Sequence, residues 1–331
     1  MGQLLSDDFI NKISSLLNNA RNKVVNAVNH TMVLTYFEIG RMIVEEEQKG
    51  QERAEYGKFL LAEISAKLIQ DFGKGFSETN LKQMRQFYLI YSKGQTASDE
   101  FKLSWSHYLK LMRIENEKER SFYQIEAYKN NWSLKELQRQ YDTALYSRLV
   151  LSRDQDQVLK LSQEGQVLEN AKDAIKDPYV LEFLGLPEKS NYSESDLEQK
   201  LIEKLEHFLL ELGNGFTFVA RQARITFDEK HFKIDLVFYN RILKCFVLID
   251  LKIGELKHQD IGQMQMYVNY YDRKVRLADE NKTIGIILCQ DKSEAVVQFT
   301  LPENNEQIFA SKYLTVLPSK ETLIKLIEEK D

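Results

Sequence analysis

Three charged side chains interrupt two apolar stretches in the second half of the 331-residue chain. Asp235 lies in a run of Ile, Leu, Val, Phe and Tyr, and Asp250 and Lys252 close a second such run. Two runs of this composition, separated by a short turn at Asn240-Arg241, are typical of paired β-strands. Because side chains alternate between faces along a strand, Asp250 and Lys252 share one face, which Asp235 can also reach. Buried charge is costly without compensation, so the pattern favours a bound divalent metal.

A helix predicted before these strands supplies further carboxylates. Residues Leu197–Leu212 repeat apolar side chains at helical spacing, and Ser195-Asp196 is expected to cap this helix. Glu198 and Glu203 both lie on it. An acid from this helix could therefore join the charges on the strands.

Two further pairs of polar residues flank the charged strands. Gln263 and Tyr267 lie one turn apart on a helix predicted at about Gln259–Tyr271, so they point the same way. Arg221 and Gln222 are embedded in an earlier predicted strand, where contacts to a phosphate or a base are expected.

The order of predicted elements divides the chain into two domains. Residues 1–152 are predicted to form an all-helical domain, since apolar side chains recur there at helical spacing and no proline precedes Pro178. The first prolines and several polar runs predict a linker region at 153–190. Residues 191–331 follow the order α-β-β-β-α-β with a shorter last strand, which predicts a mixed sheet flanked by helices. The fold class is therefore α+β or α/β.

Composition limits the class of protein. A net charge of −5 gives no support to nucleic-acid binding through bulk positive charge. Cys245 and Cys289 lie in apolar runs that fit neither a zinc site nor a secreted disulfide framework, so free thiols in a reducing cytoplasm are expected. No apolar run approaches the length of a membrane span. We therefore expect a cytoplasmic globular protein with no membrane partner.

A helix, a glycine-containing turn and a second helix follow one another in the first half of the chain. The turn is Phe72–Phe76, and Ser77 is a strong N-cap signal for the helix Leu81–Tyr91. One interpretation is a helix-turn-helix module whose polar side chains face DNA, namely Ser77, Asn80, Lys82, Gln83, Arg85 and Gln86. The alternative is an ordinary helical bundle with a solvated polar face, which is favoured because such turns are common.

The charged strands and their flanking helices together resemble the PD-(D/E)xK nuclease superfamily. Within that superfamily, the chain is similar to the YhcG-like nuclease family. Three stretches carry this similarity, namely 208–213, 234–240, and 248–254 together with 262–265. In the first half, the stretches 73–77, 80–88 and 103–108 are similar to the N-terminal domain of that family. The resemblance covers nearly the whole chain, and one departure is Ile234, which stands where the superfamily name has proline.

The resemblance implies a restriction-endonuclease-like fold and a metal-dependent nuclease. The residues implied to hold Mg²⁺ (or Mn²⁺) are Asp235, Asp250, Glu198, and Leu251 through its backbone carbonyl. The residues implied for the remaining roles are Lys252 and Gln263 at the attacking water, and Arg221, Gln222 and Tyr267 at the substrate. Glu198, in a Leu-Glu-x-x-Leu context, matches the family's helix acid best, and Glu203 is the second choice.

Other interpretations stay open. Asp235, Asp250 and Lys252 could form a buried ion pair with a hydrogen-bonded carboxylate, although a hydrophobic pair would usually be at least as stable. The chain could also be a catalytically silent nucleic-acid-binding or assembly subunit, against which the intact core residues argue. DNA is the expected substrate and RNA the alternative, and the resemblance implies a homodimer as one arrangement of the chain.

Overall fold

The computed structural model describes residues 7–49, 54–92, 101–151, 155–187, 192–227 and 229–316. The chain separates into two compact units, residues 1–138 and 139–331. The boundaries expected at 152 and 190 stay predictions, and both edges of the expected linker region lie outside the described residues.

The first unit is built from helices, as the spacing of its apolar side chains predicts. Its helices are α1 (Asp7–Lys49), α2 (Ala54–Phe72), α3 (Glu78–Tyr91), α4 (Trp105–Leu111) and α5 (Glu117–Lys129), and α6 (Leu134–Asp142) spans the division between the units. Ser77 caps α3, since its side chain accepts the backbone N–H of Asn80 at 3.4 Å. The predicted N-cap is therefore confirmed.

Helices α1 and α3 approach each other closely at a glycine. A Cβ built on Gly40 of α1 would lie 2.1 Å from the backbone oxygen of Met84 in α3. A larger residue at position 40 would force the helices apart. The buried side chains of α3 are Leu81, Met84, Phe87 and Tyr91.

The second unit contains one six-stranded sheet and the helices that cover it. Its elements are α7 (Leu145–Leu151), α8 (Gln155–Glu164), β1 (Tyr179–Val180), α9 (Glu194–Glu203), α10 (Leu205–Leu212), β2 (Phe216–Phe227), β3 (Lys230–Asn240), β4 (Cys245–Leu251), α11 (His258–Lys274), β5 (Ile284–Cys289), α12 (Glu294–Thr300) and β6 (Ile308–Leu314). The sheet order is β1-β6-β5-β4-β3-β2. Strands β2, β3 and β4 pair antiparallel, whereas β4, β5, β6 and β1 pair parallel. The predicted mixed sheet flanked by helices is therefore confirmed.

Two apolar cores lie on opposite faces of this sheet. One packs α9 and α10 against side chains such as Phe238, Val247 and Ile249. The other packs α11 against neighbours such as Val237 and Leu248. The strands that carry the predicted site are thus covered on both faces, which explains why their sequences are nearly continuous apolar runs.

The helix predicted at Leu197–Leu212 is wrong as a single helix. The helix is interrupted at Lys204, which has a φ of −114° and a ψ of 31°. Helix α9 ends before this residue and α10 begins after it. The predicted cap is also misplaced, because Ser193 is the N-cap and exchanges hydrogen bonds with Asp196. Apolar periodicity continues across a short break, so it does not reveal one.

The connection between β3 and β4 occupies residues 241–244 rather than a turn at Asn240-Arg241. Asn240 is buried at the end of β3, and its Oδ1 accepts the backbone N–H groups of Ile242 and Leu243. The asparagine therefore shapes the turn from the strand, by a side-chain-to-backbone hydrogen bond.

Part of the stretch expected to be a linker belongs to the core of the second unit. Strand β1 pairs parallel with β6. Tyr179, Leu181 and Leu184 are buried among residues of the sheet and of α9 and α10. Sequence reasoning missed this strand, because two residues carry no detectable period.

No helix in the described ranges is both long enough and apolar enough to cross a membrane.

Candidate functional site

The carboxylates of Asp235 and Asp250 lie where two strands stop pairing. Strands β3 and β4 pair as far as Leu236 opposite Ile249, and one further step along this register places Asp235 opposite Asp250. There the Oδ2 atom of Asp235 accepts the backbone N–H of Leu251 at 2.8 Å. The side chain of Asp235 is thereby fixed against the end of β4.

Gln222 connects the helix acid to this pair of strands. The pairs on either side of Gln222 place it opposite Asp235, and its φ of 49° is in the left-handed region, which is unusual within a strand. Its Nε2 donates to Oε2 of Glu198 and, at 3.2 Å, to Oδ1 of Asp235. One amide therefore holds two carboxylates together.

Lys252 lies beside Asp250, as the two-residue spacing predicts. The Nζ atom of Lys252 is 2.9 Å from Oδ2 of Asp250 and 3.7 Å from Oε2 of Glu194 in the first turn of α9. Glu194 also accepts the backbone N–H of Ile253 at 3.3 Å. Sequence reasoning missed Glu194, because along the chain it is one of several acids near a helix start and only the fold brings it to the lysine.

The two candidate helix acids differ in their surroundings. Glu198 is 5% exposed and shares the Gln222 amide with Asp235. Glu203 is exposed, and its Oε1 accepts from the side chain of Gln199 at 3.0 Å. The fold therefore brings Glu198 to the aspartates and leaves Glu203 on the surface.

Burial shifts the protonation of the site. It raises the pKa of Asp250 well above the usual range, and the charge of Asp235 adds to this rise while Lys252 opposes it. Burial also raises the pKa of Glu198, although the hydrogen bond from Gln222 opposes the shift. Burial alone would lower the pKa of Lys252, but the charges of Asp250 and Glu194 outweigh it and the pKa is raised. The site is thus short of positive charge.

Gln263 and Tyr267 form a chain of hydrogen bonds that ends on β3. The Nε2 atom of Gln263 donates to the hydroxyl of Tyr267, which donates to the backbone oxygen of Lys233 at 2.9 Å. Tyr267 is fully buried. Their common direction on α11 is as predicted, and in the described residues the amide nitrogen of Gln263 contacts Tyr267 rather than Lys252.

Arg221 lies at the exposed rim of the site. Its Nε is 3.3 Å from Oε1 of Glu198, and its Nη1 donates to Oε1 of Gln199 at 3.1 Å. About half of the arginine side chain stays open to solvent, at 46% exposure. A substrate contact by Arg221 or Gln222 stays a prediction.

The carboxylate oxygens of the site fit a cation. Two buried oxygens already lie beside cationic side chains, since Oε1 of Glu198 is 3.3 Å from Nε of Arg221 and Oδ2 of Asp250 is 2.9 Å from Nζ of Lys252. A set of oxygen donors of this kind suits Mg²⁺ or Mn²⁺. Within the same described ranges, no group of three or more His, Cys, Asp or Glu side chains is close enough to form a ready-made metal cluster. Gln222 and Lys252 instead supply the positive or polar partners of the acids.

The polar residues predicted to face DNA in the helical unit lie around α3. Four of the six are engaged within the unit, and one of these is Lys82, whose Nζ lies 3.5 Å from Oε2 of Glu78. Ser77 caps the helix, Asn80 donates to the backbone oxygen of Gly75 at 2.9 Å, and Arg85 lies 2.6 Å from Glu47. These contacts are typical of the helical-bundle interpretation, and the DNA-binding role stays a prediction.

Comparison with protein families matches both halves of the chain. Residues 172–327 match the YhcG PDDEXK nuclease domain, and residues 12–148 match the DUF1016 N-terminal domain. The first of these ranges contains every residue predicted for the site. The chain therefore carries a PDDEXK nuclease domain.

Individual proteins and structures similar to the chain include one curated protein and several endonucleases. The chain is 39% identical over 341 residues to "Putative nuclease YhcG" of Escherichia coli (strain K12), which covers 94% of this chain and 90% of that protein. A repair endonuclease from Pyrococcus abyssi is 16% identical, with a TM-score of 0.26 over 40% of this chain and 50% of that chain. A structure described as an EndoMS-dsDNA2 complex is 15% identical, with a TM-score of 0.28 over 40% of this chain and 49% of that chain. The sequence identity over nearly the full length of the curated protein shows that this chain belongs to the YhcG-like nuclease family.

Proposed function

We propose that this chain is a metal-dependent nuclease that hydrolyses phosphodiester bonds in DNA. The observation that carries the proposal is the convergence of Glu198, Asp235 and Asp250 beside Lys252, in which Glu198 and Asp250 are buried and the pKa of each of these two carboxyl groups is raised. A purely structural group would be expected to surround its buried carboxylates with enough cations to keep their pKa values low, whereas here burial outweighs the nearby cations. Membership of a nuclease family supports the same conclusion.

Mg²⁺ (or Mn²⁺) is proposed to be held by the carboxylates of Asp235, Asp250 and Glu198 and by the backbone carbonyl of Leu251. When bound, the ion supplies a Lewis acid for the scissile phosphate and a water with a lowered pKa. Gln222 holds Glu198 and Asp235 next to each other through its amide, which limits the rearrangement that the carboxylates need.

Lys252 is proposed to position the attacking water and to stabilise negative charge that develops on the phosphate. The charges of Asp250 and Glu194 raise its pKa, so it is a cation at neutral pH. This favours an electrostatic role over removal of a proton. Asp250 and Glu194 hold the ammonium between them, which directs it toward the carboxylates.

The remaining predicted residues are proposed to act around this centre. Gln263 orients Lys252 or the water through its amide oxygen, while its nitrogen is held by Tyr267. Tyr267 is buried and supports β3 beside the substrate rather than forming an open surface. Arg221, which is partly open to solvent, contacts the phosphate backbone.

Cleavage of supercoiled plasmid and linear duplex DNA by the full chain tests this proposal. We expect cleavage in Mg²⁺ or Mn²⁺ and none in a chelator. Asp250→Ala and Lys252→Ala should each lose about 10²–10³-fold in rate while DNA binding persists, as expected for groups that stabilise the transition state. Glu198→Ala should also lose activity, and its matched control Glu203→Ala, on the same helix, should not. Wild-type rates in Asp250→Ala or Lys252→Ala would sink the mechanism.

A silent nucleic-acid-binding or assembly subunit is the second candidate. It is favoured by the hydrogen bonds and ion pair that Gln222 and Lys252 already make with the acids. This candidate predicts DNA binding without cleavage and no heat of Mg²⁺ or Mn²⁺ binding in calorimetry. Parallel assays with single-stranded and duplex RNA decide between DNA and RNA as the substrate.

A cytoplasmic location and a homodimer are also proposed. Cys245 and Cys289 are free and buried, and burial raises the pKa of each thiol to about 12, as suits unreactive thiols in a reducing compartment. Sedimentation of the purified 38.8 kDa chain distinguishes a dimer from a monomer.

A further inference from the structure

The outer part of the β2–β3 hairpin forms a two-stranded arm beside the proposed site. Strand β3 pairs with β4 only from Leu236 onward, whereas it pairs with β2 as far as Lys230. Residues 222–227 of β2 and 230–235 of β3 therefore pair with each other beyond the last pair between β3 and β4. We call this part of the hairpin the arm.

One face of the arm is exposed and basic. Arg224 lies opposite Lys233, and Thr226 lies opposite His231, and all four are exposed. Residues directly opposite each other in an antiparallel pair point to the same face. The arm thus presents two cations and a histidine on a single surface.

The other face of the arm is anchored in the core under α11. Ile225 is buried there, with Phe227 and Phe232 packed against the same cluster. The ring of Phe227 also contacts Tyr270 of α11, with centroids 5.1 Å apart. The basic face is therefore held in a defined direction by packing on the opposite side.

Arg224 is pre-positioned by its neighbours on the arm. Its Nη2 lies 2.7 Å from Nε2 of His231, and arginine can only donate, so this nitrogen of the histidine accepts. The proton of His231 then sits on Nδ1 and donates to Oγ1 of Thr226 at 3.0 Å. Among the residues that the structure describes, the arginine is held through this one nitrogen, and its other N–H groups are open to a ligand.

The cations of the arm lack the acidic partners that other basic residues of this unit have. Lys292 lies 2.6 Å from Asp177, and Lys312 lies 2.6 Å from Asp291. In the described part of the chain, neither Arg224 nor Lys233 has a carboxylate within 4.0 Å. Lys233 lies near enough to Glu198 to lower the pKa of that carboxyl group, but it forms no ion pair with it in the described residues, so both exposed cations of the arm suit an anionic partner.

We propose that the basic face of the arm binds the phosphate backbone of duplex DNA and extends the proposed nuclease site; the inference rests on the proposed function. From Gln222 to Thr226 the arm spans four residues, or about 14 Å, which equals about four base pairs along B-DNA. Arg224 and Lys233 lie two residues beyond Gln222 and Asp235, so they contact phosphates next to the one that is cleaved. Glu229 lies at the tip and limits the basic face to the inner part of the arm.

The test measures how salt weakens binding of a short DNA duplex to the full chain in metal-free buffer, where cleavage does not occur. The variant Arg224→Gln/Lys233→Gln should lower the slope of log affinity against log salt by about 2, since each lost phosphate contact removes about 0.9. The charge-retaining variant Arg224→Lys/Lys233→Arg should keep the wild-type slope. The matched control is Arg273→Gln/Lys274→Gln, which removes the same charge from an exposed stretch of α11 and should also keep it. Thermal unfolding confirms that every variant is folded.

The results separate this inference from the proposed function. If Arg224→Gln/Lys233→Gln keeps the wild-type slope, or if the α11 control lowers the slope equally, the arm does not bind the DNA backbone. Either result leaves the nuclease proposal intact. If the wild-type chain does not bind the duplex, the proposal that the arm binds DNA is overturned as well. A third result is a slope that falls in Arg224→Gln/Lys233→Gln and not in the α11 control, while the wild-type chain does not cleave DNA with Mg²⁺ or Mn²⁺. That result supports DNA binding by the arm and overturns the nuclease proposal.

Discussion

Two groups of buried charge in the second unit have opposite surroundings. The first, called here the Arg148 cluster, consists of Arg148, Lys176 and Glu211, all at most 2% exposed. The second is the proposed site, where Glu198 and Asp250 are almost as buried. Both groups place carboxylates in an apolar core, so burial alone does not separate a structural group from a functional one.

Hydrogen bonding separates the two groups. The Oε1 atom of Glu211 accepts from Nη1 of Arg148 at 2.5 Å and from the backbone N–H of Val180 at 3.0 Å. Lys176 donates to the backbone oxygen of the same glutamate, and Arg148 also donates to Pro178. In the proposed site, by contrast, one oxygen of each buried acid accepts no backbone N–H from the described residues and faces a single cation, Arg221 at 3.3 Å from Glu198 and Lys252 at 2.9 Å from Asp250.

The pKa shifts of the two groups differ in the same way. Burial alone would raise the pKa of Glu211, but Arg148, Lys176 and Arg139 lower it to about 2. The pKa values of Glu198 and Asp250 are raised. A structural carboxylate is thus compensated by the protein itself, whereas the proposed site leaves room for a positive ligand.

The largest expected effect comes from breaking the Arg148 cluster. Arg148→Met should destabilise the fold by roughly 3–5 kcal/mol, because it leaves the charge of Glu211 buried without its main partner. Urea unfolding followed by circular dichroism measures the loss. The double variant Arg148→Met/Glu211→Leu should recover much of it, and a loss below about 1 kcal/mol in the single variant would contradict the assignment of this cluster as structural.

Lowering the pH should remove part of the stabilisation that the Arg148 cluster gives to the fold. The folded-state pKa of Glu211, about 2, lies below the ordinary value of 4.5, so its contribution is present above pH 4.5 and is lost as the pH falls toward 2. The loss should reach about 3 kcal/mol across this window. Unfolding free energies of the wild type and of Glu211→Gln between pH 7 and 2 measure it. The wild type should show the steeper fall, and parallel curves would refute the linkage.

The smallest effect is expected from neutralising the proposed site. Asp250→Asn should leave stability unchanged or raise it by up to about 1 kcal/mol, because a raised pKa means that the buried charge opposes folding. The matched surface change Glu203→Gln should stay within about 0.5 kcal/mol of the wild type. A large destabilisation by Asp250→Asn would show that the two groups of charge are alike, and that both are structural.

Much of the fold and of the proposed site could be predicted from local patterns. Period-two alternation predicts that Asp250 and Lys252 lie together, and the structure places their charged atoms 2.9 Å apart. Helical spacing predicts that Gln263 and Tyr267 point the same way, and they share a hydrogen bond. Strand pairing predicts that Asp235 reaches the end of β4, where it accepts from Leu251. Each of these follows from the geometry of one element or of one hairpin.

The missed features depend on contacts between distant parts of the chain. Glu194 lies 58 residues before Lys252 in sequence, and Glu211 lies 63 residues after Arg148. Gln222 bridges Glu198 and Asp235 only because its backbone takes a left-handed conformation that its residue type does not announce. The family resemblance included Glu211 in the stretch 208–213, but no local pattern distinguishes this acid from those of the proposed site.

The sequence by itself determined most of the strands and helices and the spacing of Asp235, Asp250 and Lys252, because backbone periodicity and apolar pattern are local properties. Only the tertiary structure decided which glutamate joins them, which acid shares the lysine, and which buried carboxylates have raised pKa values. Those outcomes depend on how much water and how many hydrogen-bond donors surround each side chain. That environment is assembled from segments far apart in sequence, so it exists only once the chain is folded.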